Sequence, residues 1–117
     1  MAYMLLIVEP QGQRAARSEA DGRELYDVML RFAGSLKERG LLVDAQSLQS
    51  DTKGKRVQIR DGQRTVVDGP FAETKEMVGG FFLLTTDDEA EALEIAAQCP
   101  AAEWATVEVR ALGPCFT

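Results

Sequence analysis

Asp68-Gly69-Pro70-Phe71-Ala72-Glu73-Thr74-Lys75-Glu76, followed closely by Gly79-Gly80-Phe81-Phe82, combines tight-turn residues with four ionisable side chains in nine positions. Glycine permits positive φ, proline locks its own φ, and aspartate bonds neighbouring backbone donors, so Asp-Gly-Pro imposes a sharp backbone path. The patterns on either side of this turn decide the fold. A strand, a helix, a strand and a hairpin lead into it, and a strand, a helix and a strand lead away.

Upstream, Tyr3 to Glu9 is apolar in both phases, with Met4, Leu6 and Val8 against Tyr3, Leu5 and Ile7. That pattern marks a central strand. Pro10 to Arg17 reads as a polar connection, and Ser18-Glu19-Ala20-Asp21 as a helix start resembling a capping box. Leu25, Val28, Met29, Phe32, Ala33 and Leu36 then recur on one helical stripe, and Gly40 caps its end. Leu41 to Leu48 predicts a second strand and Gln49 to Gly54 a loop. Arg56 to Arg60 alternates, Asp61-Gly62 is a type I′ turn signal, and Arg64 to Val67 returns as the partner.

Downstream, Phe81 to Thr85 predicts a strand, and Thr86-Asp87-Asp88-Glu89 a second capping box. The helix it opens carries Ala90, Leu93, Ala96 and Ala97, and Pro100 stops it. Phe32 and Leu93 are expected in the core as the centres of their stripes. Ala105 to Leu112 closes the chain's pattern as a strand with one apolar face, Val107, Val109 and Ala111. The order is that of an α+β, ferredoxin-like βαββαβ sheet with an inserted β-hairpin and both helices on one face. The other face keeps large apolar side chains, and a homodimer is the simplest way to cover it.

At 117 residues and 45% hydrophobic composition, one domain over residues 1–117 is expected to bury roughly two thirds of its unfolded surface. A net charge of −6 supplies no basic field to neutralise phosphates, which argues against direct nucleic-acid binding. Lys53, Lys55, Arg56, Arg60 and Arg64 form the one basic cluster; lying across the predicted hairpin, it reads as a solvated face. With no cationic leader and no apolar run approaching the roughly 20 residues of a membrane span, a cytoplasmic protein without membrane contact is expected. Cys99 and Cys115 lack a CxxC spacing and histidine is absent, so free thiols, no metal and no cofactor are the expectation, with Cys99 a small buried apolar residue. Phosphate-loop and dinucleotide glycine patterns are also missing.

Candidate chemistry gathers at the opening segment. Asp68, Glu73 and Glu76 are candidate catalytic carboxylates, because one held partly out of water beside Lys75 can exchange a proton near neutral pH. Gly69, Pro70, Phe71 and Lys75 are candidate ligand contacts, with Lys75 the counter-charge for an anionic small molecule. The competing structural reading makes Asp68 an Asx-type turn residue, Phe71 a core plug and Lys75 a solvated partner of Glu73 or Glu76. Glu9, at the end of an apolar strand, and Arg110, on the polar phase of the last strand, are expected either to pair or to face a common pocket.

The DGPFAETKE string with its glycine-glycine-phenylalanine sequel resembles the signature of the DGPF branch of the YCII-related family. Tyr3 to Ile7, Lys37 to Leu42 and Val107 to Arg110 extend the likeness along most of the chain. The resemblance implies a ferredoxin-like subunit of the dimeric α+β barrel type, with no biochemical role assigned to most members. Some relatives carry a proposed histidine-aspartate pair, on the first helix and just before the proline ending the second. Here Met29 stands near the first position, beside Tyr26 and Asp27, and Cys99 at the second, so a histidine-dependent mechanism lacks its histidine. Two functions fit. One is a small-molecule-binding protein or cofactor-free acid/base enzyme with a pocket near the DGPF segment; the other is a non-enzymatic dimeric interaction module in transcriptional regulation linked to sigma factors.

Overall fold

The computed structural model describes residues 2–117. Its strands are β1 (Tyr3–Pro10), β2 (Leu42–Ser47), β3 (Lys55–Arg60), β4 (Gln63–Asp68), β5 (Glu76–Leu84) and β6 (Thr106–Ala111), and its helices are α1 (Glu19–Glu38) and α2 (Glu89–Gln98). Four strands form an antiparallel sheet in the order β2-β5-β1-β6, while β3 and β4 pair only with each other. With both helices packed on one face, this is the expected ferredoxin-like α+β arrangement carrying an inserted hairpin.

Local chemistry explains the boundaries. Ser18 caps α1 by accepting a hydrogen bond from the Asp21 amide at 3.1 Å. At the other end Gly40 adopts φ +70°, its amide donates to the Lys37 carbonyl, and the Leu41 amide donates to the Leu36 carbonyl. Those two bonds make a Schellman cap, which requires the left-handed residue that glycine supplies. Asp61 and Gly62 turn the hairpin with φ 53° and 76°, as a type I′ turn demands.

The core lies between the sheet and the helices. Leu5, Ile7, Phe82 and Leu84 project from the central strands against Leu36 of α1 and Ala92, Ile95 and Ala96 of α2. Phe32 is half-buried and meets Phe82 edge-on, with ring centroids 5.4 Å apart. The opposite phase, Met4, Leu6, Val8, Phe81 and Leu83, occupies the sheet's other face, which no element among the described residues covers. The chain is accordingly flat, 47 × 41 × 19 Å, with a radius of gyration of 16.0 Å. A compact chain of this length would have about 13 Å. Among the described residues no helix is long and apolar enough to cross a membrane.

Three expectations need correction. β5 starts at Glu76 rather than Phe81 and runs through Gly79-Gly80, so the glycine pair lies inside a strand. The cap of α2 is Asp88, which accepts from the Ala90 amide, while Thr86 accepts from the Asp88 amide one step earlier. Leu93 is 52% exposed, and the buried stripe of α2 is instead Ala92, Ile95, Ala96 and Cys99. Both stripes have helical spacing. The one used sets small alanines against the sheet, where the helix approaches closely, and leaves the bulkier Leu93 outside.

Two truncations separate these faces. Leu36→Ala, at a fully buried site, is expected to lower stability by roughly 2 to 5 kcal/mol. Leu93→Ala is expected to change it by about 0.5 kcal/mol or less. Urea midpoints for the two variants check both, and a large loss at Leu93 would mean that another surface covers it.

Candidate functional site

The N-terminal half of α1 stands off the sheet instead of packing onto it. Leu25, Val28 and Met29 are only half-buried, whereas Leu36, near the helix end, is fully so. The gap is a cleft of about 730 Å³. Its roof is Leu25, Met29 and Ala33, its floor Ile7 and Phe82, and Trp104 bounds it from the turn that follows α2. Concave, mostly apolar space with a few charged groups at the rim is the usual form of a small-molecule site.

Those charged groups are Glu9, Arg14, Arg17, Glu19 and Arg23. Glu9 is 8% exposed and holds Arg14 through both carboxylate oxygens, at 2.6 Å from Nε and 3.1 Å from Nη2. Arg14 also donates to the Leu48 carbonyl at 2.7 Å and the Gly79 carbonyl at 3.3 Å. This forked, charge-assisted arrangement neutralises Glu9 and occupies most of Arg14's donors. Glu19 and Arg23 form an exposed pair at 2.8 Å across one turn of α1. Arg17 is different. It is half-buried at the cleft and, among the described residues, makes no ion pair or side-chain hydrogen bond. The cleft therefore holds one uncompensated positive charge on a chain whose net charge is −6.

Gly79 makes the Glu9 clasp possible. The register of β1 against β5 shifts between Ile7 and Val8, leaving Gly79 as a bulge residue beside the Glu9 carboxylate. A Cβ there would lie 2.0 Å from Glu9 Oε2 and 2.7 Å from Arg14 Nη2. Any other residue would displace the clasp. The connection between β1 and α1 is held by further bonds, from the Gln11 amide to the Lys75 carbonyl at 2.9 Å and from Gln13 Nε2 to the Trp104 carbonyl at 2.7 Å.

The DGPF segment builds something else. Gly69 has no positive φ, contrary to a turn-based reason for its glycine. Its amide donates to the Gly54 carbonyl at 2.9 Å, and a Cβ would sit 1.8 Å from the Asp51 carbonyl oxygen, so close backbone approach is what requires glycine. The Gly69-Pro70 peptide is cis. Phe71 is buried, and the Arg56 guanidinium lies 3.8 Å from its ring centroid. Thr74 Oγ1 donates to the Phe71 carbonyl at 2.9 Å and accepts from Gln11 Nε2 at 3.2 Å, and Gln11 also donates to the Asp51 carboxylate. These contacts fasten the base of the β3–β4 hairpin to the sheet.

The candidate residues of this segment do not converge. Asp68 pairs with Lys55 on the surface, Glu73 lies 3.8 Å from Arg56, and Lys75 and Glu76 are exposed. A smaller depression of about 350 Å³ touches Phe71 and Glu76, but the larger cleft takes in only Glu9 of the candidates. The expected meeting of Glu9 and Arg110 fails on register. Arg110 lies opposite Met4, toward the other end of β1 and on the uncovered face, and pairs with Glu108. Arg14, Arg17 and Trp104 escaped sequence reasoning, which noted Gly79 only as part of the sequel to the DGPF string. Only the spacing of arginines in the polar connection after Glu9 could have pointed to the first two.

Cys99 is 2% exposed, and burial raises its thiol pKa above the usual 9.0, while backbone hydrogen bonds at Ala101 and Ala102 oppose the rise. Cys115 is exposed. Titration of the native protein with a disulfide reagent at pH 8 should show one fast thiol and one that reacts only on unfolding. Glu9→Ala should cost roughly 3 kcal/mol, the low end for breaking a buried pair because the Arg14 side chain keeps 32% exposure. Gly79→Ala should show a comparable loss in the same urea titration, whereas an unchanged midpoint would mean that the clasp contributes little.

Comparison with known proteins agrees with this architecture. The chain is 30% identical over 96 residues to an uncharacterised protein of Rhizobium meliloti (strain 1021), an alignment covering 82% of this chain and 77% of that one. A model of the YCII-related domain matches residues 1–115. A match over nearly the whole length, on a ferredoxin-like frame, shows that the chain belongs to the YCII-related family.

Proposed function

We propose that this protein, a member of the DGPF branch of its family, binds a small organic anion in the cleft beneath α1 and does so without catalysis. The observation that carries this reading is Arg17, a half-buried cation without a partner among the described residues, at the rim of an apolar cleft in an acidic chain. A ligand with a carboxylate would pair with Arg17 and lay its apolar body along Leu25, Met29 and Phe82. Glu9 does not compete as a base, since Arg14 holds both of its oxygens. Met29, near the position that the family resemblance gives to histidine, contributes only apolar surface to the cleft. The carboxylates of Asp68, Glu73 and Glu76 are exposed and lie outside the cleft.

The working unit in this reading is a homodimer closed over the uncovered sheet face. The apolar row of Leu6, Val8, Phe81 and Leu83 and the flat shape of the chain support it. A second reading, a non-enzymatic interaction module in sigma-factor-linked regulation, is favoured by one observation: the β3–β4 hairpin exposes Val57, Ile59, Val66 and Val67.

Trp104 is the only tryptophan and lines the cleft, so its fluorescence reports occupancy. Titration with decanoate, decanol and decylamine should give saturable changes with affinity falling in that order. Arg17→Ala should weaken decanoate about tenfold, equivalent to ~1.4 kcal/mol, and leave decanol unchanged. Added salt should weaken decanoate alone. Equal affinity for all three ligands, or no response from Trp104, would remove the anion-binding reading and leave the interaction module preferred.

A further inference from the structure

The hairpin is the part of the chain that its own fold leaves unused. Every residue of β3 and β4 is exposed, and the two strands pair with nothing but each other. An isolated two-stranded hairpin is marginal in water, and one with apolar side chains in solvent is a liability that proteins ordinarily cover. This hairpin is nonetheless held firmly at its base by Phe71 beneath Arg56 and by the Gly69 amide on the Gly54 carbonyl. It is an anchored arm.

The strand register sorts its two faces. Arg56 pairs across with Val67, Gln58 with Thr65 and Arg60 with Gln63, so the face that turns Arg56 toward Phe71 is largely polar. The opposite face carries the cross-strand pair Val57 and Val66 with Ile59 beside Arg64. Val57, Ile59 and Val66 are 60%, 65% and 48% exposed. Charge is equally uneven. Between residues 53 and 68 the chain holds Lys53, Lys55, Arg56, Arg60 and Arg64 against Asp61 and Asp68, although its net charge is −6. The remainder of the chain is thus more acidic than the whole, and the arm is complementary to it in sign.

We infer that the apolar face of the arm clasps a second copy of this chain, resting Val57, Ile59 and Val66 against the exposed Val78 at one end of the partner's uncovered sheet face, whose edge strands carry acidic side chains. This inference rests on the homodimer proposed above and adds the element that locks it. One chain offers two uncovered apolar surfaces, the arm and the sheet, and a basic arm on an acidic body. In a two-fold dimer each arm meets the other subunit in the same way, so a single self-complementary contact covers both surfaces twice. Electrostatic complementarity between arm and body also favours this partner over a like-charged arm-to-arm contact.

Light scattering and sedimentation equilibrium on the full chain test it. The wild type should have twice the 12.8 kDa chain mass at micromolar concentration. Val57→Ser/Ile59→Ser should raise the dimer dissociation constant at least tenfold with an unchanged far-UV spectrum. Arg64→Glu, which keeps the apolar pair and the turn, should also raise it, and 0.5 M salt should weaken the wild type more than Arg64→Glu. A wild type that is monomeric overturns both the arm contact and the dimer. A dimer whose dissociation constant is indifferent to all these variants overturns the arm contact and leaves the sheet-face dimer standing. Binding of a 20-base-pair DNA duplex by a monomer, lost on Arg64→Glu, would overturn the inference in favour of a nucleic-acid clamp.

Discussion

The ion pair of Glu9 and Arg14 ties the connection between β1 and α1 to the paired strands β1 and β5 and to the end of β2. Glu9 is the last inward-facing residue of β1, Arg14 comes from the connection to α1, and the carbonyls that Arg14 reaches belong to Leu48 after β2 and Gly79 in β5. A carboxylate 8% exposed at the end of an apolar strand would be costly without that partner. Pairing it fixes where the connection runs, and the connection fixes where α1 starts. The gap beneath the first half of α1 follows from this geometry. The glycine at position 79 follows as well, because the carboxylate occupies the space of its missing side chain.

The same clasp gives the cleft its electrostatic character. With Glu9 and Arg14 neutralising each other and Glu19 paired with Arg23 at the rim, Arg17 alone among the described residues carries uncompensated charge into the space. Apolar walls lower the dielectric around it, which strengthens its attraction for an anion relative to water. In the anion-binding reading proposed above, selectivity comes from one charge and a shape. The sheet, the helix and the turn bearing Trp104 supply the shape.

The DGPF segment serves the fold as an anchorage. Its ionisable residues face water, while Gly69, Phe71 and Thr74 do the holding: Gly69 through close backbone approach, Phe71 through burial under Arg56, and Thr74 by linking Gln11 to the Phe71 carbonyl. The segment sets the direction in which the hairpin leaves the sheet. Its density of turn formers and charges reflects a tight, solvent-facing anchorage.

Local physics made much of the fold legible. The Ser18 cap, the Gly40 Schellman end, the Asp61-Gly62 turn and the two-phase apolar pattern of Tyr3 to Glu9 each depend on residues within a few positions of one another, so the sequence alone determines them. The order of elements, and with it the ferredoxin-like class, follows from those signals. Tertiary structure decided the rest, for identifiable reasons. α2 has two stripes of helical spacing, and only close packing on the sheet chose Ala92, Ile95 and Ala96 over Leu93. Gly79-Gly80 reads as a break until a carboxylate from β1 is seen to need the space. Glu9 could have met Arg110 or Arg14, and strand register, which places Arg110 opposite Met4, settled the choice. The cleft lay beyond sequence reasoning because it is a space between a helix and a sheet, and its free charge exists only because two other arginines found partners.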